Sequence, residues 1–360
     1  MNRQRVRITP DSNMPTFRGL GLGAGVQSTT LALMAAWGLI EPIDFAIFAD
    51  TGAEPAAVYI HLDRLEREVL TPAGIPVYHV SVGNIMADAL GLSSDSQYDL
   101  GRPAGRFASM PLYVQNEPGP CEPCKASGEV DDDIQGRRRC GRCAGTGIDP
   151  GHGILPRQCT PEYKLAAIKA KTRELLTGSP DGRVSKGLFV ETLIGFSADE
   201  VGRIKDSDVQ YQSLTYPLIY DKRMVRADCI QWLEKVGWGS TPRSACKVCP
   251  AHGDVVWRDM RDNRPDEWAE AVAFDYALRE HSVYTHGPAK ITGKVYLHRS
   301  RMPLDQAPID IVTRRKMRAA MLKVQTSIFG ALAEAELEHG DPDGCSPWGC
   351  RSGEPIKTSP

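Results

Sequence analysis

Gly21-Leu22-Gly23-Ala24-Gly25-Val26-Gln27-Ser28-Thr29-Thr30 combines small residues with hydroxyls near the start of the chain. It follows the short segment Phe17 to Leu20 and runs into the apolar stretch Leu31 to Ile40. Small residues let backbone N–H groups close on an anion, and a helix starting here aims its positive end at the same point. Strand, glycine turn and helix together predict a phosphate cradle. Two common versions are excluded. The Walker pattern needs Gly-Lys-Ser/Thr, and no lysine precedes Lys125. The dinucleotide pattern G-x-G-x-x-G needs a third glycine where Val26 or Ser28 stands. Farther on, the apolar run Ile43 to Ala49 ends in Asp50-Thr51-Gly52-Ala53-Glu54-Pro55. In a doubly wound sheet, a carboxylate, a hydroxyl and a glycine at that strand end lie beside the first loop.

A different chemistry is written between Pro103 and Pro156. Cys121-Glu122-Pro123-Cys124 and Cys140-Gly141-Arg142-Cys143 each can grip a metal from one tight turn, and two such pairs complete a tetrahedral thiolate site. A closed site of four thiolates has no open position, which implies a structural zinc ion. The second pair continues as Ala144-Gly145-Thr146-Gly147 and resembles the Cys-x-x-Cys-x-Gly-x-Gly zinc repeat of DnaJ-type chaperones. After the first pair come Lys125-Ala126-Ser127-Gly128, with Ala126 in place of a glycine.

Gly23, Ala24, Gly25, Val26, Gln27 and Ser28 occupy the six places of the Ser-Gly-Gly-x-Asp-Ser loop of PP-loop ATP pyrophosphatases, with Gly23, Ala24 and Gln27 departing from it. Asp50-Thr51-Gly52 looks like the Asp-Thr-Gly segment of the phosphoadenosine-phosphosulfate (PAPS) reductase family within that superfamily. Arg157-Gln158-Cys159-Thr160 with Tyr163-Lys164 is similar to its Arg-x-Cys-Thr and lysine element. Gly195-Phe196-Ser197-Ala198-Asp199-Glu200 with Arg203 resembles its later nucleotide-contacting loop. Tyr216-Pro217-Leu218 and Arg243-Ser244-Ala245-Cys246-Lys247-Val248-Cys249-Pro250 complete the series. The resemblance runs from about Phe17 to Asp275 and rests on the order of these elements.

The resemblance implies an α/β fold: a doubly wound, mostly parallel sheet of the adenine nucleotide alpha-hydrolase type. It implies ATP or a related adenine nucleotide handled at the α-phosphate. Residues 23–28, with Thr51, Gly52 and Gly195, would contact the nucleotide. Asp50 would hold Mg2+ in place of the carboxylate lost at Gln27, and Lys164 and Arg203 would touch phosphate or sulfate. Cys159, Cys246 and Cys249, with Cys229 or His252 as a fourth member, could hold a 4Fe–4S cluster of the kind used by relatives that thiolate tRNA or sulfurate DNA. A second zinc site, a redox-active Cys246–Cys249 pair and buried structural thiols remain open alternatives. The leading function is ATP-dependent activation of a nucleobase or nucleic acid (tRNA or DNA), with sulfur transfer from a donor. Reduction of adenylyl sulfates is the runner-up, although the Glu-Cys-Gly-Leu-His segment of true PAPS reductases is absent and only Cys345 and Cys350 lie in the tail. An inactive, zinc-bearing binding module is the third reading.

Several elements must position these residues. Val58, Leu62, Leu65 and Val69 mark a helix over Ala56 to Leu70, and Val77 to Val82 and Gly187 to Ile194 read as strands. Residues 17–105 and 157–260 would form the two parts of the nucleotide domain, around a zinc insertion at 106–156. A helical region at 261–338 follows, with Trp268, Val272 and Tyr276 along one stripe and a long helix from Asp310 to Glu338. The last segment, 339–360, is rich in Gly, Pro and Ser and reads as disordered. A 41% hydrophobic fraction can fill a sizeable core, and a net charge of -2 provides no global attraction to nucleic acid. Any such contact needs a local patch, with Arg137-Arg138-Arg139 and Lys290 to Arg318 as candidates. Gly19 to Ile40 is uncharged, but its glycines and Gln27-Ser28-Thr29-Thr30 argue against a membrane span. Arg3, Arg5 and Arg7 precede no apolar signal core, and ten cysteines then point to metal or redox chemistry in the cytoplasm.

Overall fold

The protein is described from a computed structural model, which covers residues 14–92, 97–98, 110–132, 136–140, 142–282, 291 and 293–311. Strand β1 (Phe17–Gly21) leads through the glycine turn into helix α1 (Val26–Ala36). Then come β2 (Phe45–Asp50), α2 (Ala56–Leu65), β3 (Val77–Ser81) and the short α3 (Ile85–Ala89). The chain next enters the cysteine insertion, built from β4 (Tyr113–Gln115), β5 (Gly119–Pro120), β6 (Glu129–Asp132), β7 (Gly136–Arg139), β8 (Ile148–Asp149) and β9 (His152–Ile154). It returns through α4 (Ala166–Thr177), β10 (Val190–Ile194), β11 (Gln212–Thr215), α5 (Pro217–Tyr220) and α6 (Arg226–Lys235). Helices α7 (Asp254–Asn263) and α8 (Pro265–Glu280) and strand β12 (Lys294–Tyr296) follow.

Five strands form one parallel sheet in the order β11-β10-β1-β2-β3. Parallel strands need crossovers, and helices covering both faces explain why β2 is apolar on successive residues. Phe45, Ile47 and Ala49 pack on one side with residues of α4, α7 and α8. Ala46 and Phe48 pack on the other with residues of α1, α2 and α6. The fold is therefore α/β and wound on both faces, as the alternating elements predict. From β1 the chain moves outward to β2 and β3, then crosses back to β10 on the other side. That reversal opens a crevice at the carboxyl ends of β1 and β10, the usual place for a ligand in such sheets.

The structure departs from expectation in the C-terminal region. Residues 261–338 are not purely helical: β12 pairs antiparallel with β4, which also pairs with β9, so the stem of the insertion and the C-terminal segment share a sheet. On α8 the fully buried face is Ala271, Phe274, Asp275 and Leu278, whereas Trp268, Val272 and Tyr276 are half-buried. Asp275 is drawn inside because it accepts the Leu297 and Leu304 N–H groups at 2.8 and 3.0 Å and pairs with Arg279. The helix expected from Asp310 to Glu338 lies outside the described residues beyond Ile311, as do the 339–360 tail, Cys345 and Cys350. Among the described residues no helix is long and apolar enough to cross a membrane.

Candidate nucleotide site and metal centre

At the mouth of the crevice, Gly21 to Ser28 is almost wholly buried, yet its backbone is poorly supplied with acceptors. Leu22 N–H donates to Ile47 O (2.9 Å) and Gly25 N–H to Ser28 Oγ (3.2 Å). The N–H groups of Gly23, Ala24, Val26, Gln27 and Ser28 have no acceptor among the described residues. A helix start leaves such donors open, and here they surround one loop. Ala24 lies in the left-handed region (φ 52°), a conformation normally left to glycine, so the turn is held by its surroundings. Ser28 Oγ also donates to Gly25 O at 3.2 Å, so this hydroxyl closes the loop on itself.

Gly195, at the end of β10, packs directly on that loop: a Cβ there would lie 2.8 Å from Ser28 N. The obstacle is backbone, which cannot swing aside. Gly195→Ala should push the first turn of α1 away. Overpacking of this kind costs about 1–3 kcal/mol, so anion affinity at the loop should fall about tenfold or more. Calorimetric titration with pyrophosphate checks this, and unchanged affinity with an unchanged melting temperature contradicts it.

Beyond Gly195, Ser197 and Glu200 receive Gln27. Its Nε2 donates to Ser197 Oγ (3.3 Å) and Glu200 Oε2 (3.1 Å), and its Oε1 accepts from Arg226 Nη1 (2.9 Å). Gln27 thus stitches two loops together instead of facing the crevice. Arg203 lies over the Phe196 ring and pairs with Glu200.

The end of β2 supplies a second cluster. Asp50 Oδ1 accepts the Gly52 N–H and the Tyr59 hydroxyl, both at 2.8 Å, and Oδ2 has no partner among the described residues. Burial, then the Asp50 charge, raises the pKa of Tyr59 far above its ordinary value. Gly52 (φ 71°) lies against Asn84, whose Nδ2 donates to Gly52 O at 3.1 Å. Lys164 is buried and bonded to Glu54 Oε1 at 3.0 Å. Glu54 Oε2 is buried with no hydrogen bond. Thr51 Oγ1 stands 3.3 Å from Cys246 Sγ, and Lys247 N–H donates to Ala53 O at 2.8 Å, which lays the 243–249 segment over this cluster. Sequence reasoning passed over Glu54 and Arg226. The only signal for Glu54 was an acid four residues after Asp50, a position that ordinarily reads as the solvated start of a helix. Arg226 carried none.

The second cysteine set is only partly gathered. Cys246 and Cys249 are buried in one core with Cys159 at its margin, whereas Cys229 belongs to the core on the opposite face. Cys229 is therefore not a fourth member; burial pushes its thiol up to about 12. His252 Nε2 donates to Cys246 O at 2.9 Å and braces the Cys246–Cys249 turn. Burial, then the Arg243 charge, lowers its pKa to about 3, so it is neutral.

The four-cysteine group is fully assembled. The Sγ atoms of Cys121, Cys124, Cys140 and Cys143 are buried within 4.8 Å of one another, and among the described residues this is the only such group of three or more His, Cys, Asp or Glu ligand atoms. The two knuckles mirror each other: Gly128 N–H and Gly147 N–H donate to Cys124 Sγ and Cys143 Sγ, both at 3.3 Å. Cys121 N–H donates to Gly147 O and Cys140 N–H to Gly128 O. Gly147 packs on Ala126 O and Gly128 on Gly145 O, where a Cβ would come within 2.2 and 2.4 Å. Ala126, standing at the glycine position, still takes φ 61°. Burial pushes the Cys121 thiol up to about 12; at Cys143 burial is outweighed by the Gly147 N–H, the Cys124 thiol and the Gly145 N–H, which bring it to about 6. The donor set fits zinc. In the hairpin between the knuckles, Arg137 Nε lies 3.5 Å from Glu129 and 3.8 Å from Asp131, so its charge is met within the hairpin.

No protein-family model matches this chain, and neither a curated protein nor a solved structure matches it. Its function is therefore argued from geometry.

Proposed function

We propose that this chain is a PP-loop enzyme of the PAPS reductase-like kind, with the adenine nucleotide alpha-hydrolase fold. In this reading it cleaves ATP or a related adenine nucleotide at the α-phosphate, activating a nucleobase or nucleic acid for sulfur transfer. One observation carries the reading: a buried loop with five unpaired backbone N–H groups at the reversal point of a parallel sheet. Donors already aimed where charge gathers lower a barrier without reorganisation. They would hold the departing pyrophosphate, while Gly195 lets the two loops approach. Magnesium would rest on Asp50 Oδ2 and on the phosphates themselves, because Gln27 is occupied; such single-carboxylate binding is ordinary for this ion. When bound it would offset phosphate charge.

Lys164 and Arg203 take different roles from those the resemblance implies. With Lys164 bonded to Glu54, it organises the Thr51–Cys246 corner; Arg203 does the same for the 195–203 loop. A 4Fe–4S cluster on Cys159, Cys246 and Cys249 stays part of the proposal, with its fourth ligand unassigned. Release of pyrophosphate from ATP in the presence of candidate acceptors tests the activity. Thiol-dependent sulfite release would instead indicate adenylyl-sulfate reduction. Neither product would favour an inactive binding module, a reading that Gln27's internal bonds also support.

A further inference from the structure

Gln27 stands where a carboxylate could help hold a metal, and both ends of its amide are used within the protein. The group on its oxygen is a guanidinium: Arg226 Nη1 donates to Gln27 Oε1 at 2.9 Å, on the first turn of α1. A divalent cation at that oxygen would sit against a fixed positive charge. On the other side of the same turn, the Arg243-Ser244 backbone closes over Gly25. A Cβ on Gly25 would meet Ser244 Cβ at 3.1 Å and Ser244 N at 3.3 Å. Ser244 Oγ is buried with no hydrogen-bond partner, a donor left open beside the loop.

We propose that Arg226 and Arg243 neutralise phosphate charge at this loop, so that a nucleoside triphosphate or pyrophosphate binds it without a divalent cation. The inference rests on the nucleotide reading of the loop and specifies how that ligand is held. Arg226 and Arg243 are close enough to repel. Burial first, and then Arg243, lowers the pKa of Arg226, and the carboxylates of Glu200 and Asp199 only partly offset this. Asp199 accepts the Arg226 backbone N–H at 3.1 Å, and Glu200 is shared with Arg203 and Gln27. Three arginines therefore meet two carboxylates around the first turn of α1, and the surplus is positive. A polyphosphate relieves that repulsion, and a guanidinium can hold two of its oxygens at once. Binding and chemistry are separable here: magnesium on Asp50 can still serve the reaction.

The test is calorimetric titration of the full chain with a non-hydrolysable ATP analogue and with pyrophosphate. Each is run with magnesium and in buffer freed of divalent ions by a resin that leaves the cysteine-bound zinc in place. Expected affinities with and without magnesium agree within about threefold, whereas Arg226→Met and Arg243→Met each weaken both ligands by about tenfold or more, the loss of one charge-assisted contact. Arg226→Lys should fall between, since it keeps the charge and loses the fork. Binding that appears only with magnesium overturns the inference, as does wild-type affinity in Arg243→Met. If Arg226→Met fails to fold, the magnesium comparison and Arg243→Met still decide. Absence of binding by either ligand under every condition removes the nucleotide reading itself.

Discussion

Cys121→Ser or Cys140→Ser is expected to abolish zinc retention and unfold the insertion while the parallel sheet stays folded. The insertion has almost no apolar core of its own: its buried cluster consists of the four cysteines, with Val130 packed against them. So small a cluster cannot offset the conformational entropy of the knuckles and hairpins. Structural zinc sites in peptides are worth about 10–16 kcal/mol at neutral pH, far more than the hairpin hydrogen bonds can supply. Wild-type protein should carry about one zinc per chain by elemental analysis, and the variants or chelator-treated protein none. Limited proteolysis should then cut between Gln115 and Pro150 in the variants and spare the wild type. The prediction fails if Cys121→Ser keeps its metal or if cleavage patterns coincide.

Lys164→Met should cost about 3–5 kcal/mol of stability, a large share of what holds a domain together. Lys164 and Glu54 have side-chain exposures of 6% and 1%, so solvent screens neither charge. Removing the ammonium leaves Glu54 with one oxygen already unpaired and its other facing only the Cys246 thiol at 3.9 Å. An uncompensated buried carboxylate must then be protonated or drag water inward. The double variant Glu54→Gln/Lys164→Met removes both charges and should recover much of the loss, because a buried pair is worth far less than the penalty of breaking it. Denaturant unfolding of the two single variants and the double variant measures the coupling. Additive losses would show that the two side chains do not act as a pair.

Part of this architecture is legible in residue order because it depends on local periodicity. Phe45 to Asp50 is apolar on consecutive residues, which only a strand covered on both faces requires, and that is what β2 is. Pro265 to Glu280 starts at a proline and is helical over that whole range. The cysteine spacing fixes a metal site for a similar reason: each Cys-x-x-Cys closes on itself within one turn, and only the meeting of two turns remains for the fold. Gln27 and Glu54 are the opposite case. Nothing in their neighbourhood reveals that Gln27 meets Arg226, 199 positions away, or that Glu54 meets Lys164, 110 positions away.

The chain by itself determines that a strand, a small-residue turn and a helix occur in series at Phe17 to Ala36, and that four thiols can converge between Cys121 and Cys143. Both follow from short-range geometry, where a few residues settle their own conformation. Tertiary structure alone decides which donors at the turn remain open, which carboxylate is neutralised and which arginines surround the first turn of α1. Those outcomes depend on which strand ends lie side by side. The reversal between β1 and β10 brings residues 23–28 against 195–203, and the 243–249 segment closes over both the turn and Glu54. Charge at such a site is set by partners from several elements, because the field of a buried group extends across space and not along the sequence.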